Sequence, residues 1–126
     1  MVQLDALRGK WVLLYFFPKA GTTGCTTQAC AVRDLDTLTD LRVFGASPDH
    51  PDSLEVFRQA FRLGFSLLSD PALELARRYR VVDGILTARI ERTTFLIDPA
   101  GVVARVARRV DPERQAEQIQ RWLEQR

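Results

Sequence analysis

Trp11-Val12-Leu13-Leu14-Tyr15-Phe16-Phe17 is an unbroken run of apolar, β-branched and aromatic residues that stops at Pro18. A strand buried on both faces reads this way, because both sides of its pleat meet core; a strand with one wet face alternates instead. The segment is the expected central strand of a sheet. Next, Lys19-Ala20-Gly21-Thr22-Thr23-Gly24 is a loop by composition. Thr22 or Thr23 is suited to cap a helix that carries Ala29, Val32, Leu35 and Leu38 on one face. Cys25 then falls in the first turn of that helix.

Outward from this unit, residues 41–46 read as a short strand, Ser47-Pro48-Asp49 as a turn, and Leu54, Phe57, Ala60 and Phe61 as the apolar positions of a second helix. Residues 65–68 form another expected strand. Asp70 as cap and Pro71 at the first helical position predict a helix to about Arg80, ended by Val81-Val82-Asp83-Gly84. Thr93-Thr94-Phe95-Leu96-Ile97 and Val102-Val103-Ala104-Arg105-Val106 flank Asp98-Pro99-Ala100-Gly101, which predicts an antiparallel hairpin. A last helix is capped by Asp111, holds Pro112 in its first turn, and packs through Ala116, Ile119, Trp122 and Leu123. Strand and helix alternate and then close with a hairpin and a helix, so the fold class is α/β, a mixed central β-sheet with helices on both faces. A thioredoxin-like fold fits that order.

The chain has 126 residues, 46% hydrophobic and 27% charged, the size and composition of a single globular domain over 1–126. Its net charge is +2, and of its 18 basic residues all but Lys10 and Lys19 are arginines spread along the chain. A nucleic-acid protein concentrates such charge, so Arg77-Arg78-Tyr79-Arg80 and the arginines of 105–109 read as a solvated helix face and strand end, with no nucleic-acid partner. The run 11–17 is far short of the roughly 20 residues of a membrane helix, so no membrane association is expected. Met1-Val2-Gln3-Leu4-Asp5 shows no signal-peptide pattern, and a cytoplasmic location follows as the expectation. In a reducing cytosol a permanent disulfide is disfavoured, and a transient catalytic one is the usual exception.

Cys25 follows Gly24 at the amino end of its helix, where unpaired N–H groups and the macrodipole favour an anion, and the thiolate is the reactive form of cysteine. Standing alone, it reads more readily as a small buried hydrophobe. Cys30, five residues later, turns through about 500° and rises about 7.5 Å on an ideal helix, which leaves the two Cα atoms roughly 8 to 9 Å apart. A disulfide needs less than about 7 Å. Joining the thiols therefore requires the first turns to unwind; the alternative, on spacing alone, is that Cys30 is a core residue beside Ala29 and Ala31. A zinc site is not expected, since two Cys and the single His50 supply neither the ligand number nor the spacing. There is no C-x-x-C, G-x-G-x-x-G or P-loop.

Phe17-Pro18-Lys19-Ala20-Gly21-Thr22-Thr23-Gly24-Cys25-Thr26 resembles the peroxiredoxin active-site motif P-x-x-x-T-x-x-C, with Pro18, Thr22 and Cys25 in register. Gln28-Ala29-Cys30 followed by Arg33-Asp34 is similar to the bacterioferritin comigratory protein, or peroxiredoxin Q, branch, whose resolving cysteine lies five residues on in the same helix. Gly45-Ala46-Ser47-Pro48-Asp49, Leu67-Leu68-Ser69-Asp70-Pro71 and Glu91-Arg92-Thr93-Thr94-Phe95-Leu96-Ile97-Asp98 resemble that branch too, in order and at fitting intervals.

The resemblance implies a thiol-dependent peroxidase in which Cys25 attacks hydrogen peroxide or an organic hydroperoxide and Cys30 closes a disulfide. It implies that Arg92 is the active-site arginine, Thr22 a hydrogen-bond partner of the peroxide and Pro18 a shield. Thioredoxin or a similar dithiol protein is the implied reductant, no bound cofactor is needed, and the branch favours a monomer. Two departures stand out. Thr23 occupies the place where the branch commonly has Pro, which removes a rigid residue but no catalytic group. Most of the family's N-terminal hairpin, with its A-P-D-F-like segment, is missing ahead of Gly9-Lys10. Two competing readings are a thiol oxidoreductase or dithiol sensor acting on protein disulfides, and a thioredoxin-like binding module with incidental cysteines; Thr22 and Arg92 argue against both.

Overall fold

The computed structural model describes residues 9–35, 41–84 and 89–125. Residues 1–8, ahead of Gly9-Lys10, and Leu38 lie outside them, and with them the expectation about the family's N-terminal hairpin. The central strand, β1, is Trp11–Phe16. It pairs in parallel with β2 (Leu41–Ser47), Leu13 opposite Val43 and Tyr15 opposite Gly45. On its other side it pairs antiparallel with β6 (Thr94–Ile97), Leu13 opposite Leu96 and Tyr15 opposite Thr94. β3 (Ser66–Ser69) and β7 (Val103–Ala107) form the two edges of this five-stranded mixed sheet, in the order β3-β2-β1-β6-β7. A separate two-stranded ladder joins β4 (Val82–Asp83) to β5 (Arg89–Ile90).

Alternation along β1 divides the core into two layers. Leu13, Tyr15 and Phe17 face a layer that takes Cys25, Ala29 and Val32 from α1 (Thr23–Leu35), Leu54 and Phe57 from α2 (Pro51–Ala60), and Ile119 and Trp122 from α4 (Gln115–Glu124). Val12, Leu14 and Phe16 face the opposite layer, where Ala76 of α3 (Glu74–Arg78) packs with Val81, Phe95 and Ile97. Helices on both faces explain why β1 shows no alternation in its sequence: its central residues are all buried.

The helix expected from Pro71 to Arg80 is shorter. Leu73 adopts a left-handed backbone, φ 58°, which a helix interior does not accommodate, so helical geometry begins only at Glu74. Asp70 still caps it, its carboxylate accepting from the amides of Leu75 and Ala76 at 3.1 and 2.9 Å. At the other end of the chain Pro112 lies in a turn ahead of α4 rather than in its first turn, and Asp111 accepts from the Glu113 amide at 3.0 Å. Residues 82–83, expected only to end a helix, contribute a strand of the small ladder.

Candidate active site

The carboxyl ends of parallel β1 and β2 point the same way, and the loops that leave them meet. Ala20, in the loop after β1, donates its amide to Asp49 Oδ2 at 2.7 Å, and Ser47 Oγ donates to the same oxygen at 2.8 Å. Ser69 Oγ at the end of β3 donates to the Asp49 carbonyl at 2.6 Å. The loop that leads to Cys25 is thus tied to the turn between β2 and α2.

Thr22 opens α1. Its carbonyl accepts from the Thr26 amide at 2.9 Å and its hydroxyl accepts from the Cys25 amide at 3.4 Å, while the hydroxyl proton goes to the Lys19 carbonyl at 3.1 Å. These bonds satisfy donors that a helix start leaves unpaired. Cys25, two residues into the helix, is 1% exposed. Cys30 is partly exposed on the same unbroken helix, and both cysteines are free thiols. Pro18 is exposed just beyond β1, in the place of a strand stop.

Arg92 reaches this thiol from the far half of the chain. Because β6 runs antiparallel to β1, its amino end lies beside the carboxyl end of β1, and the Thr93 carbonyl accepts from the Phe16 amide at 2.8 Å. The Arg92 carbonyl accepts from the Val110 amide at 2.8 Å. Arg92 Nη1 lies 3.3 Å from Cys25 Sγ and donates to Gln28 Oε1 at 2.7 Å. The guanidinium lies across the helix start so closely that a Cβ at Gly24 would be 3.3 Å from Nη2 and 3.6 Å from Pro112 Cγ.

Below the thiol, the Tyr15 ring stacks on Phe17 at 5.5 Å and meets Phe65 edge-on at 6.0 Å. Its buried hydroxyl has no hydrogen-bond partner among the described residues. Burial pushes this phenol well above the ordinary tyrosine range; negative charge on Cys25 and Cys30 adds to the push and Arg92 opposes it.

The structure therefore brings Cys25, Thr22 and Arg92 together and keeps Cys30 on the helix that Cys25 begins. Sequence reasoning assigned no role to Gln28, Gly24 or Asp49. Gln28 carried a signal, since a residue three positions after Cys25 shares its helix face. Asp49 and Gly24 stood in stretches that resemble the family, but nothing there gave their partners, Ala20 and Arg92, which are close to them only in the folded chain. Among the described residues no cluster of His, Cys, Asp and Glu is arranged to hold a metal, and no helix is long and apolar enough to cross a membrane.

Residues 1–106 match the AhpC/TSA family. A putative peroxiredoxin bcp of Haemophilus influenzae is 42% identical, over 83% of this chain and 73% of the relative. The chain belongs to the AhpC/TSA family, in the Bcp and peroxiredoxin Q branch of the peroxiredoxins. Peroxiredoxin Bcp of Escherichia coli is 35% identical over 98% of this chain and 85% of its own. Among solved structures, Xanthomonas campestris peroxiredoxin Q superposes with a TM-score of 0.93 at 31% identity, covering 98% of this chain and 84% of that one. Peroxidoxin BcpB of Mycobacterium tuberculosis gives 0.87 at 30% identity, over 97% and 84%. The fold is that of the thioredoxin-like peroxiredoxins, and this peroxiredoxin is a thiol peroxidase that takes a peroxide as oxidant and a thiol as reductant.

Proposed function

We propose that Cys25 is the peroxidatic cysteine and Cys30 the resolving one, and that the enzyme cycles through a disulfide between them. The observation that carries this reading is the 3.3 Å approach of Arg92 Nη1 to Cys25 Sγ. A fixed positive charge there stays beside the reacting sulfur and is in place to polarise the peroxide. The Thr22 hydroxyl gives its proton to the Lys19 carbonyl and one lone pair to the Cys25 amide, and its second lone pair suits the role of acceptor for the O–H of a hydroperoxide.

The thiolate attacks the peroxide oxygen that carries the proton, the O–O bond breaks, and its electron pair leaves with the other oxygen, which is protonated to water or alcohol. Cys25 is left as the sulfenic acid. Cys30 then displaces the sulfenic oxygen as water, forming the Cys25–Cys30 disulfide. Both cysteines lie on one continuous helix, so its early turns must open for the sulfurs to meet. A dithiol protein of the thioredoxin type suits the final step, returning two thiols by exchange. Pro18 is assigned the shielding place that the motif gives it. Organic hydroperoxides are included because a structural neighbour, the Xanthomonas campestris bacterioferritin comigratory protein, is described for alkyl peroxide reduction; it has a TM-score of 0.92 at 30% identity.

The test is stoichiometric. One equivalent of hydrogen peroxide added to the reduced protein should remove both thiols within seconds, with an intact mass lower by two hydrogens. Cys25→Ser should abolish the reaction, and Cys30→Ser should stop at a trappable sulfenic acid. Thiol loss that persists in Cys25→Ser, or that never occurs, refutes the assignment.

A further inference from the structure

Behind Arg92, a row of buried polar side chains leads away from the thiol to the terminal helix. Arg92 Nη1 donates to Gln28 Oε1 at 2.7 Å, Gln28 Nε2 faces Gln115 Oε1 at 3.5 Å, and Gln115 Nε2 donates to Thr94 Oγ1 at 3.0 Å. Gln28, Gln115 and Thr94 are 0%, 1% and 0% exposed. Two carboxamides so deeply buried are costly unless each finds partners.

The direction of the row is forced from its charged end. A guanidinium only donates, so Gln28 must turn its carbonyl oxygen to Arg92 and its NH₂ to Gln115. Gln115 must then offer its own oxygen, and its NH₂ is satisfied by Thr94 on β6. Turning over either amide sets two donors or two acceptors face to face. Gln115 is therefore the fixed member, since it opens α4 and is tied to the central sheet, while Gln28 sits between the two cysteines of α1.

We propose that Gln115 is a positioning residue with two effects of opposite sign. Through Gln28 it holds the Arg92 guanidinium against the Cys25 sulfur, which serves attack on peroxide. By the same bond it latches the early turns of α1 to α4, which holds Cys30 away until the latch opens. This rests on the Cys25–Cys30 disulfide reading. Removing Gln115 then slows the first chemical step and speeds the second, and the split follows the Gln115–Thr94 hydrogen bond rather than the thermal midpoint.

The experiment separates the two steps in a single turnover of the full chain with hydrogen peroxide, by rapid quench, trapping of sulfenic acid and intact mass. In Gln115→Leu, sulfenic acid forms about fivefold more slowly and converts to disulfide about fivefold faster, the weight of one net hydrogen bond in each direction. Thr94→Val shifts both rates the same way, and Thr94→Ser, which keeps the hydroxyl, restores them; this pair carries the test if Gln115→Leu does not fold. Both rates unchanged, or both slowed alike, overturn the proposal. A wild-type protein that loses only one thiol overturns the disulfide reading instead, and the positioning effect is then judged on the first rate alone, which Gln115→Leu must still lower.

Discussion

Replacing Gly24 by Ala sets helix stability against catalysis at a single position. Gly24 is a helical residue of α1, and alanine there restricts the unfolded chain, which stabilises by about 0.4 to 1 kcal/mol where the site accepts the methyl. The methyl, however, would sit 3.3 Å from Arg92 Nη2. The guanidinium must give way by about 0.3 Å, and a displacement of about 1 Å at reacting groups costs about 10²-fold in rate, so a proportional share is about fourfold. Arg92 is held on its other side by Gln28 at 2.7 Å and contacts Cys25 Sγ at 3.3 Å, so the shift falls on these bonds. Gly24→Ala should unfold at the wild-type temperature or a few degrees above it, by circular dichroism, yet consume peroxide about fourfold more slowly in a stopped-flow single turnover. A variant that folds normally and reacts at the wild-type rate would show that the position of this guanidinium does not govern the chemistry.

Arg92→Lys keeps the charge but not the planar fork, and loss of the charge-assisted contacts to Cys25 and Gln28 should slow single-turnover oxidation by about 10- to 100-fold, with the thermal midpoint lowered by several degrees because the buried Gln28 oxygen loses its donor; retention of the wild-type rate would refute the role given to this side chain. Asp49→Ala removes the acceptor of the Ala20 amide and the Ser47 hydroxyl, and should cost about 1.5 to 3 kcal/mol in urea unfolding, while Asp49→Asn, which keeps one oxygen, recovers most of it. Tyr15→Phe removes a buried hydroxyl with no partner and should stabilise by about 1 kcal/mol at neutral pH. The folded-state pKa of Tyr15 is raised, so the stability it contributes is complete below the unfolded value of about 10 and is lost as pH rises beyond it. Urea midpoints at neutral and strongly alkaline pH should therefore diverge less in Tyr15→Phe than in wild type, the remaining slope including half-buried Tyr79, whose pKa burial also raises; an equal divergence would count against Tyr15 as its source.

Much of the fold was legible in the linear order of residues because the forces that specify it are short-range. Continuous apolarity marked β1 as buried on both faces, the turn Asp98-Pro99-Ala100-Gly101 marked the β6–β7 hairpin, and Thr22 at a helix start placed Cys25 in a first turn. Where a local signal was followed too far, tertiary bonding decided: Asp70 caps α3 from a distance, across a left-handed Leu73, rather than starting it. The site was legible only in its first half. Motif resemblance singled out Arg92, but no pattern in the chain joins it to Cys25, 67 residues away, or Gln28 to Gln115, 87 residues away. Those meetings depend on β6 entering antiparallel beside β1 and on α4 packing back over α1, choices made by burial of the whole core. The interaction between a charge and a sulfur weakens with distance, and only the folded sheet sets that distance.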